Sequence, residues 1–234
     1  MLSHTTDPGN IGAAARAMKT MGLSSLYLVN PRLFPDPKAT ARATGAADVL
    51  DAARVCASLD EALAGTVLAV ALTARSRDLA HEAVTPRQAA PLLLAQACTE
   101  PVALVFGTEM SGLTNEEVGK CRLHVHIPAN PEYSSLNLGA AVQVMAYELA
   151  VAAADGAVPP IDEVKLARLD ELEHFYTRLE QTLIEIDFLD AQYPKRLMAR
   201  LRRMFARAGM EAEELNILQG VLTAIRKAQS GIPP

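Results

Sequence analysis

Tryptophan is absent from the 234-residue chain, and aromatic residues make up only 4% of it. Any large core must therefore be filled by alanine, leucine and valine. Only three cysteines occur, Cys56, Cys98 and Cys121, far apart and with no Cys-x-x-Cys pair. That excludes a disulfide framework and a thiolate zinc clip, and leads us to expect reduced, buried thiols in a cytosolic protein. Basic excess is also lacking: 22 Lys and Arg face 27 Asp and Glu, for a net charge of −5. Diffuse, charge-driven binding to nucleic acid is thereby disfavoured, although a local basic patch is still allowed. No leader is visible, because Met1 runs directly into a polar stretch, and no apolar run is long enough for a bilayer.

Several chemical signatures are missing as well. There is no Gly-x-Gly-x-x-Gly for a dinucleotide, no phosphate-cradling Gly-x-x-x-x-Gly-Lys, and no Gly-x-Ser-x-Gly nucleophile turn. Among five histidines only His124 and His126 have suggestive spacing. On a strand they point the same way, as a two-His metal clip would, but no third ligand accompanies them. A strand end is the simpler reading.

What is present is an alternation of short apolar strands and helical periods. Half of the residues are hydrophobic. Strands are expected at 25–29, 55–56, 66–72, 102–106 and 123–127. Helices are expected at 11–21, closed by Gly22, at 40–44, closed by Gly45, at 58–64, and from Thr85-Pro86 toward Ala97. Ser58 with Glu61, and Thr114 with Glu117, fit capping boxes. This pattern over residues 1–153 reads as α/β with a mainly parallel sheet. Residues 154–162 (Ala-Asp-Gly-Ala-Val-Pro-Pro-Ile-Asp) form a linker by composition. Residues 163–234 are helical in period. One stripe runs from Leu166 to Ile186, and a helix from Pro194 turns Leu197, Leu201, Met204 and Phe205 inward. Arg196, Arg200, Arg203 and Arg207 share another face, in a run without any acid between Ala191 and Met210.

Polar clusters gather where these strands end. Thr73 to Asp78 follow one strand, Gly107 to Leu113 a second, and Pro128 to Asn137 a third. In open α/β sheets that edge is where ligands bind. Ser135 and Asn137 stand before a small-residue helix (Leu138, Ala141, Val142, Met145, Leu149), where they are either ordinary caps or ligand contacts. Arg16 reads as a solvated charge or a functional cation, and Gly12 as a close helix contact. Glu109 is either a general base or a cap on backbone N–H groups.

Three stretches together resemble the SPOUT superfamily of methyltransferases: Asn10 to Arg16, Phe106 to Leu113, and Ile127-Pro128 with Ser135-Leu136-Asn137-Leu138. Pro128 to Leu138, Thr73 to Arg77 and Glu214 to Leu218 are similar to the TrmJ-type tRNA 2′-O-methyltransferases. The resemblance implies an α/β SPOUT fold with a trefoil knot, an all-helical C-terminal extension that grips tRNA, and a cytoplasmic homodimer. It implies S-adenosyl-L-methionine as donor, lined by Leu72, Thr73, Ala74, Gly107, Ile127, Ser134, Ser135 and Leu136. Arg16 would be catalytic, with Asn10, Ser135 and Asn137. Arg75, Arg77, Tyr133, Arg196, Arg200, Arg203 and Arg207 would contact RNA, although for Arg75, Arg77 and the helical arginines a solvated surface is the plainer reading, and Tyr133 could equally pack within its turn. The implied product is 2′-O-methylated pyrimidine 32 of the anticodon loop. A ribosomal-RNA methyltransferase, or a non-catalytic RNA-binding protein, is the alternative. One departure stands out: only Met1-Leu2 remain of the first strand, which is expected to leave a sheet edge exposed.

Overall fold

The computed structural model describes residues 1–74, 83–156 and 165–229. Strands β1 (Leu2–Ser3), β2 (Tyr27–Val29) and β3 (Arg54–Cys56) pair in parallel in that order. Strands β4 (Leu68–Leu72), β5 (Val102–Val105) and β6 (Leu123–Val125) pair in parallel as β5-β4-β6. The two sets are continuous. Leu2 bridges Phe106, with Ser3 N donating to the Phe106 carbonyl at 2.8 Å and Phe106 N donating to the Met1 carbonyl at 3.0 Å. The strands thus lie side by side as β3-β2-β1-β5-β4-β6.

This corrects the expectation for the first strand. It is short, but it lies in the middle of the sheet, and both of its edges are hydrogen-bonded. Two residues suffice because buried Leu2 and Ser3 are held from both sides and the Ser3 hydroxyl donates to the Glu117 carboxylate.

The helices are α1 (Pro8–Thr20), α2 (Pro37–Ala43), α3 (Ala47–Asp51), α4 (Leu59–Leu63), α5 (Pro86–Ala97), α6 (Asn115–Gly119) and α7 (Leu138–Ala154). Strand alternation separates two cores. Leu28, Val70, Phe106 and Val125 face Ile11, Ala15, Leu93 and Met145 of α1, α5 and α7. Val29, Ala69, Ala71 and Val105 face Leu59, Leu63 and Val118 of α4 and α6. A parallel sheet covered on both faces needs apolar residues at every position, which is why Leu68–Leu72 reads as an unbroken apolar run.

Several boundaries differ from the sequence reading. Helix α1 begins a turn earlier, because Asp7 caps it by accepting from Gly9 N at 2.8 Å and Pro8 fits the first turn. Pro37 likewise opens α2 early, after the Asp36 cap. At Ser58 only half of the expected box forms: Ser58 accepts from Glu61 N, while Glu61 accepts from Ala57 N instead. The full boxes are at Thr85 with Gln88 and Thr114 with Glu117. Cys56 and Cys121 are buried, but Cys98 is exposed at the end of α5. Gly12 is a helix contact, since a Cβ there would lie 2.1 Å from the Ala39 carbonyl oxygen of α2. Gly139 does the same for α1 and α7, 2.7 Å from Ala13 Cβ.

Beyond α7 come α8 (Leu169–Glu185), α9 (Leu197–Ala208) and α10 (Ala212–Gln229). Helix α9 starts at Leu197 rather than Pro194, and ends at Gly209 in the left-handed region at φ 73°. Scarce aromatic residues are spent here. Phe175 meets Phe205 edge-on at 5.4 Å, and the Arg202 guanidinium lies 4.3 Å from the Tyr176 ring while pairing with Glu173. Met204 and Ile186, expected inward, are exposed, because the three-helix core closes on Phe175, Tyr176, Leu215 and Leu222 without them. The helical part docks where β4 and β6 begin. Leu169 N donates to the Thr66 carbonyl at 2.9 Å, and the space that a Gly209 side chain would fill is taken by the Arg122 guanidinium. Among the described residues no helix is long and apolar enough to cross a membrane.

Candidate active site

A cleft of about 260 Å³ opens at the other end of the strands. Its walls are the segments that leave β4, β5 and β6, together with the first turn of α7. Every described residue that the resemblance assigns to a donor lines it: Leu72, Thr73, Ala74, Gly107, Ile127, Ser134, Ser135 and Leu136. Leu138 closes the floor as buried core, while Met110 is almost fully exposed at the rim.

The β5 segment owes its shape to glycine. A Cβ at Gly107 would lie 2.1 Å from the Gly112 carbonyl carbon, and Gly112 has φ +69°. Thr108 and Gly112 exchange backbone hydrogen bonds at 3.3 and 3.0 Å, closing a tight loop. Its backbone can therefore approach a ligand that side chains would otherwise hold away.

Glu109, at the tip of this loop, settles one of the open alternatives. It accepts from Thr6 N at 3.1 Å, the Thr6 hydroxyl at 2.9 Å, Asp7 N at 3.2 Å and Asn10 Nδ2 at 3.0 Å. Asn10 Oδ1 in turn accepts from Asn137 Nδ2 at 2.9 Å, and Asn137 Oδ1 caps α7 by accepting from Gly139 N at 2.9 Å. The three stretches that carried the resemblance are thus joined by one chain of side chains, Glu109–Asn10–Asn137. Partial burial resists ionisation of Glu109, but hydrogen bonds from Asn10, its own backbone and Thr6 outweigh it and hold the carboxyl below its ordinary value. Such a carboxylate is a clamp and a poor proton acceptor.

A depressed folded-state value means that Glu109 adds stability above the ordinary carboxylate range near pH 4.3, and that this is lost as the pH falls below it. Glu109→Gln is expected to cost about 1–2 kcal/mol at pH 7. Urea titrations should show the gap to the parent protein closing toward pH 3. An equal gap at both pH values would contradict the clamp.

Arg16 lies apart from the cleft. It is exposed on α1 and lines an adjoining open groove with Asn137, Gly139 and Arg42. Among the described residues its guanidinium makes no hydrogen bond or ion pair, so it is available to a ligand. Asn137 stands on the groove side of the joint and Ser135 on the cleft side. Tyr133 is 82% exposed on the segment that precedes them, so it is not a packed turn residue. Arg75 and Arg77 lie outside the described residues. Arg200 and Arg207 are exposed on α9 and Arg196 is exposed at its N-cap, whereas Arg203 is half-buried. His124 is buried in β6, and His126 Nδ1 sits 3.3 Å from the Thr73 carbonyl oxygen. No group of three potential ligands that could hold a metal occurs among the described residues.

Thr108, Ser111 and Ala141 also line the cleft and were not singled out from sequence. Ala141 sits three residues after Leu138, and that spacing places it on the same face of α7.

Comparison with known proteins fixes the family. Residues 1–147 match the model of the SpoU rRNA Methylase family, and residues 170–232 match the tRNA methyltransferase TrmJ C-terminal domain. The chain is a SpoU methylase of the TrmJ type. It is 48% identical over 243 residues to the tRNA (cytidine/uridine/adenosine-2′-O-)-methyltransferase TrmJ of Pseudomonas aeruginosa, covering 99% of this chain and 95% of that one. It is 51% identical over 232 residues to the tRNA (cytidine/uridine-2′-O-)-methyltransferase TrmJ of Yersinia enterocolitica, covering 97% and 90%. The crystal structure of TrmJ from Z. mobilis ZM4 superposes with a TM-score of 0.86 at 34% identity, covering 97% of each chain. The SpoU match ends within α7 and the TrmJ match begins within α8; of the linker expected between them, 154 still belongs to α7 and 157–162 lie outside the described residues.

Proposed function

We propose that this SpoU methylase transfers the methyl group of S-adenosyl-L-methionine to the ribose 2′-hydroxyl of a pyrimidine at position 32 in the tRNA anticodon loop. The observation that carries this reading is the Glu109–Asn10–Asn137 chain. It ties the loop beside the cleft to the helix that presents Arg16. The cleft suits such a donor: Ile127, Leu136 and Leu72 offer apolar walls, and strand-end backbone groups with Ser134 and Ser135 offer polar partners. When bound, the donor supplies an electrophilic methyl on a sulfonium.

The chain's own contribution is positioning. Arg16 holds the phosphate beside the target ribose and polarises its 2′-oxygen, since an arginine is too weak an acid to serve as a base. Asn10 and Asn137 fix the relative placement of α1 and α7, and Ser135 faces the reacting ribose from the cleft side. Tyr133, Arg75, Arg77 and the α9 arginines Arg196, Arg200, Arg203 and Arg207 add RNA contacts. In this reading residues 1–153 form the catalytic domain, with its chain threaded as a trefoil knot, and 163–234 the tRNA-binding domain. The working form is a cytoplasmic homodimer.

The test is transfer of labelled methyl groups to total tRNA from cells lacking this modification, followed by mapping of the product. A 2′-O-methyl at position 32 is the expected result. Label confined to ribosomal RNA would transfer the assignment to a ribosomal substrate. No label at all, with no donor binding by calorimetry, would remove the enzyme reading.

A further inference from the structure

The ten Phe and Tyr residues of this chain are a scarce resource, and two of them are displayed on one turn of the helical part. Phe188 is 67% exposed and Tyr193 72% exposed, although the buried core formed by Phe175, Tyr176 and Phe205 is close by in the same three helices. The turn between α8 and α9 is not a frayed end. Leu189 is buried as its anchor. The Leu183 carbonyl accepts from both Phe188 N and Leu189 N at 3.0 Å. Asp190 accepts from Gln192 N through its side chain at 2.8 Å and from Tyr193 N through its carbonyl at 3.2 Å. Both rings are therefore presented from backbone whose N–H groups at Phe188 and Tyr193 are bonded within the turn.

The charge around them selects the partner. Tyr193 is followed in the chain by Lys195, Arg196, Arg200 and Arg207, all exposed, in a stretch with no acid from 191 to 210. Of the nearby acids, Asp190 is engaged in its own turn and Glu185 is paired with Arg226, and the exposed Asp187 beside Phe188 precedes the acid-free basic stretch. Flat apolar rings beside an unopposed basic helix face match a chain with a polyanionic backbone and accessible aromatic faces, which is unpaired RNA. An apolar protein partner would instead leave these arginines uncompensated.

We infer that Phe188 and Tyr193 form a stacking platform for unpaired bases of the RNA substrate, with the α9 arginines gripping the adjoining phosphates. The inference deepens the proposed tRNA reading and rests on it. The function it adds is recognition of single-stranded nucleotides at a second place on the chain, outside the residues that line the donor cleft.

The experiment uses the full chain with Phe188→Ala, Tyr193→Ala and the double variant, and measures tRNA affinity across a salt series. Stacking is not ionic, so the double variant should bind about 10-fold more weakly with an unchanged salt slope. Arg200→Ala should instead reduce the slope by about one. KM for tRNA should rise while kcat is kept. Tyr193→Phe should bind like the parent, whereas Phe188→Leu, which keeps apolar bulk without a π face, should bind like Phe188→Ala. A fully paired RNA duplex should show no loss. Parent-like tRNA affinity in the double variant, or an equal loss on the duplex, overturns the platform. A parent protein with no affinity for tRNA overturns the underlying reading first, and the two failures are thereby told apart.

Discussion

Arg16→Ala should lower methyl transfer by about 10²–10³-fold, the usual effect of losing one preorganised donor to a developing oxyanion, while donor affinity stays unchanged. The placement of Arg16 supports this separation under the proposed function. Arg16 lines the groove on the α1 and α7 side, and the donor-type contacts lie in the cleft beyond the Asn137 joint. Arg16→Lys should recover only part of the rate, because an ammonium keeps the charge but not the two-pronged grip on a phosphate. Rates with saturating donor and calorimetric donor titrations check both halves. A variant that keeps its rate, or that loses donor binding in parallel, would show that Arg16 is not the group that meets the ribose.

Gly107→Ala should have the opposite signature. Its Cβ would fall 2.1 Å from one backbone atom of Gly112 and 2.2 Å from Leu113 N, where no side-chain rotation can relieve the contact. The loop must shift as a whole, and Glu109 would be pulled from Thr6, Asp7 and Asn10. We expect donor affinity to fall at least about 10-fold, with a loss of about 2–4 kcal/mol in stability. Gly119→Ala is a control, since nothing lies within 4 Å of a Cβ there. Normal donor binding by Gly107→Ala would mean that the loop is not a fixed part of the cleft.

Much of the fold was legible because strands buried on both faces write themselves as apolar runs, and Thr85, Thr114 and Gly209 mark helix ends in the local sequence. The segments that wall the cleft were legible for a related reason, since strand C-termini and a capped helix start are local features, whereas the individual lining residues came from the resemblance. What local pattern could not show was long-range pairing. Met1-Leu2 looked like the remnant of a lost strand that would leave a sheet edge exposed, and only the partners on both sides of Leu2–Ser3, Val29 and Phe106 among them, reveal its central place. Glu109 could not be read for the same reason, as its partners lie about a hundred residues earlier in the chain. Met204 and Ile186 were misjudged because helical period alone does not say how wide a face a neighbouring helix will cover.

The helical part grips the sheet at Thr66, where β4 begins, whereas the cleft opens at Thr73, where β4 ends. Seven residues of extended chain span about 23 Å. The sheet is in effect a ruler held between two hands. Under the proposed function it selects substrates by reach: an RNA long enough to touch both ends gains from two weak contacts at once, and a short fragment carrying the same target nucleotide does not. Shape recognition of this kind needs no base-specific pocket at the reacting centre, so a range of target bases is compatible with a single framework.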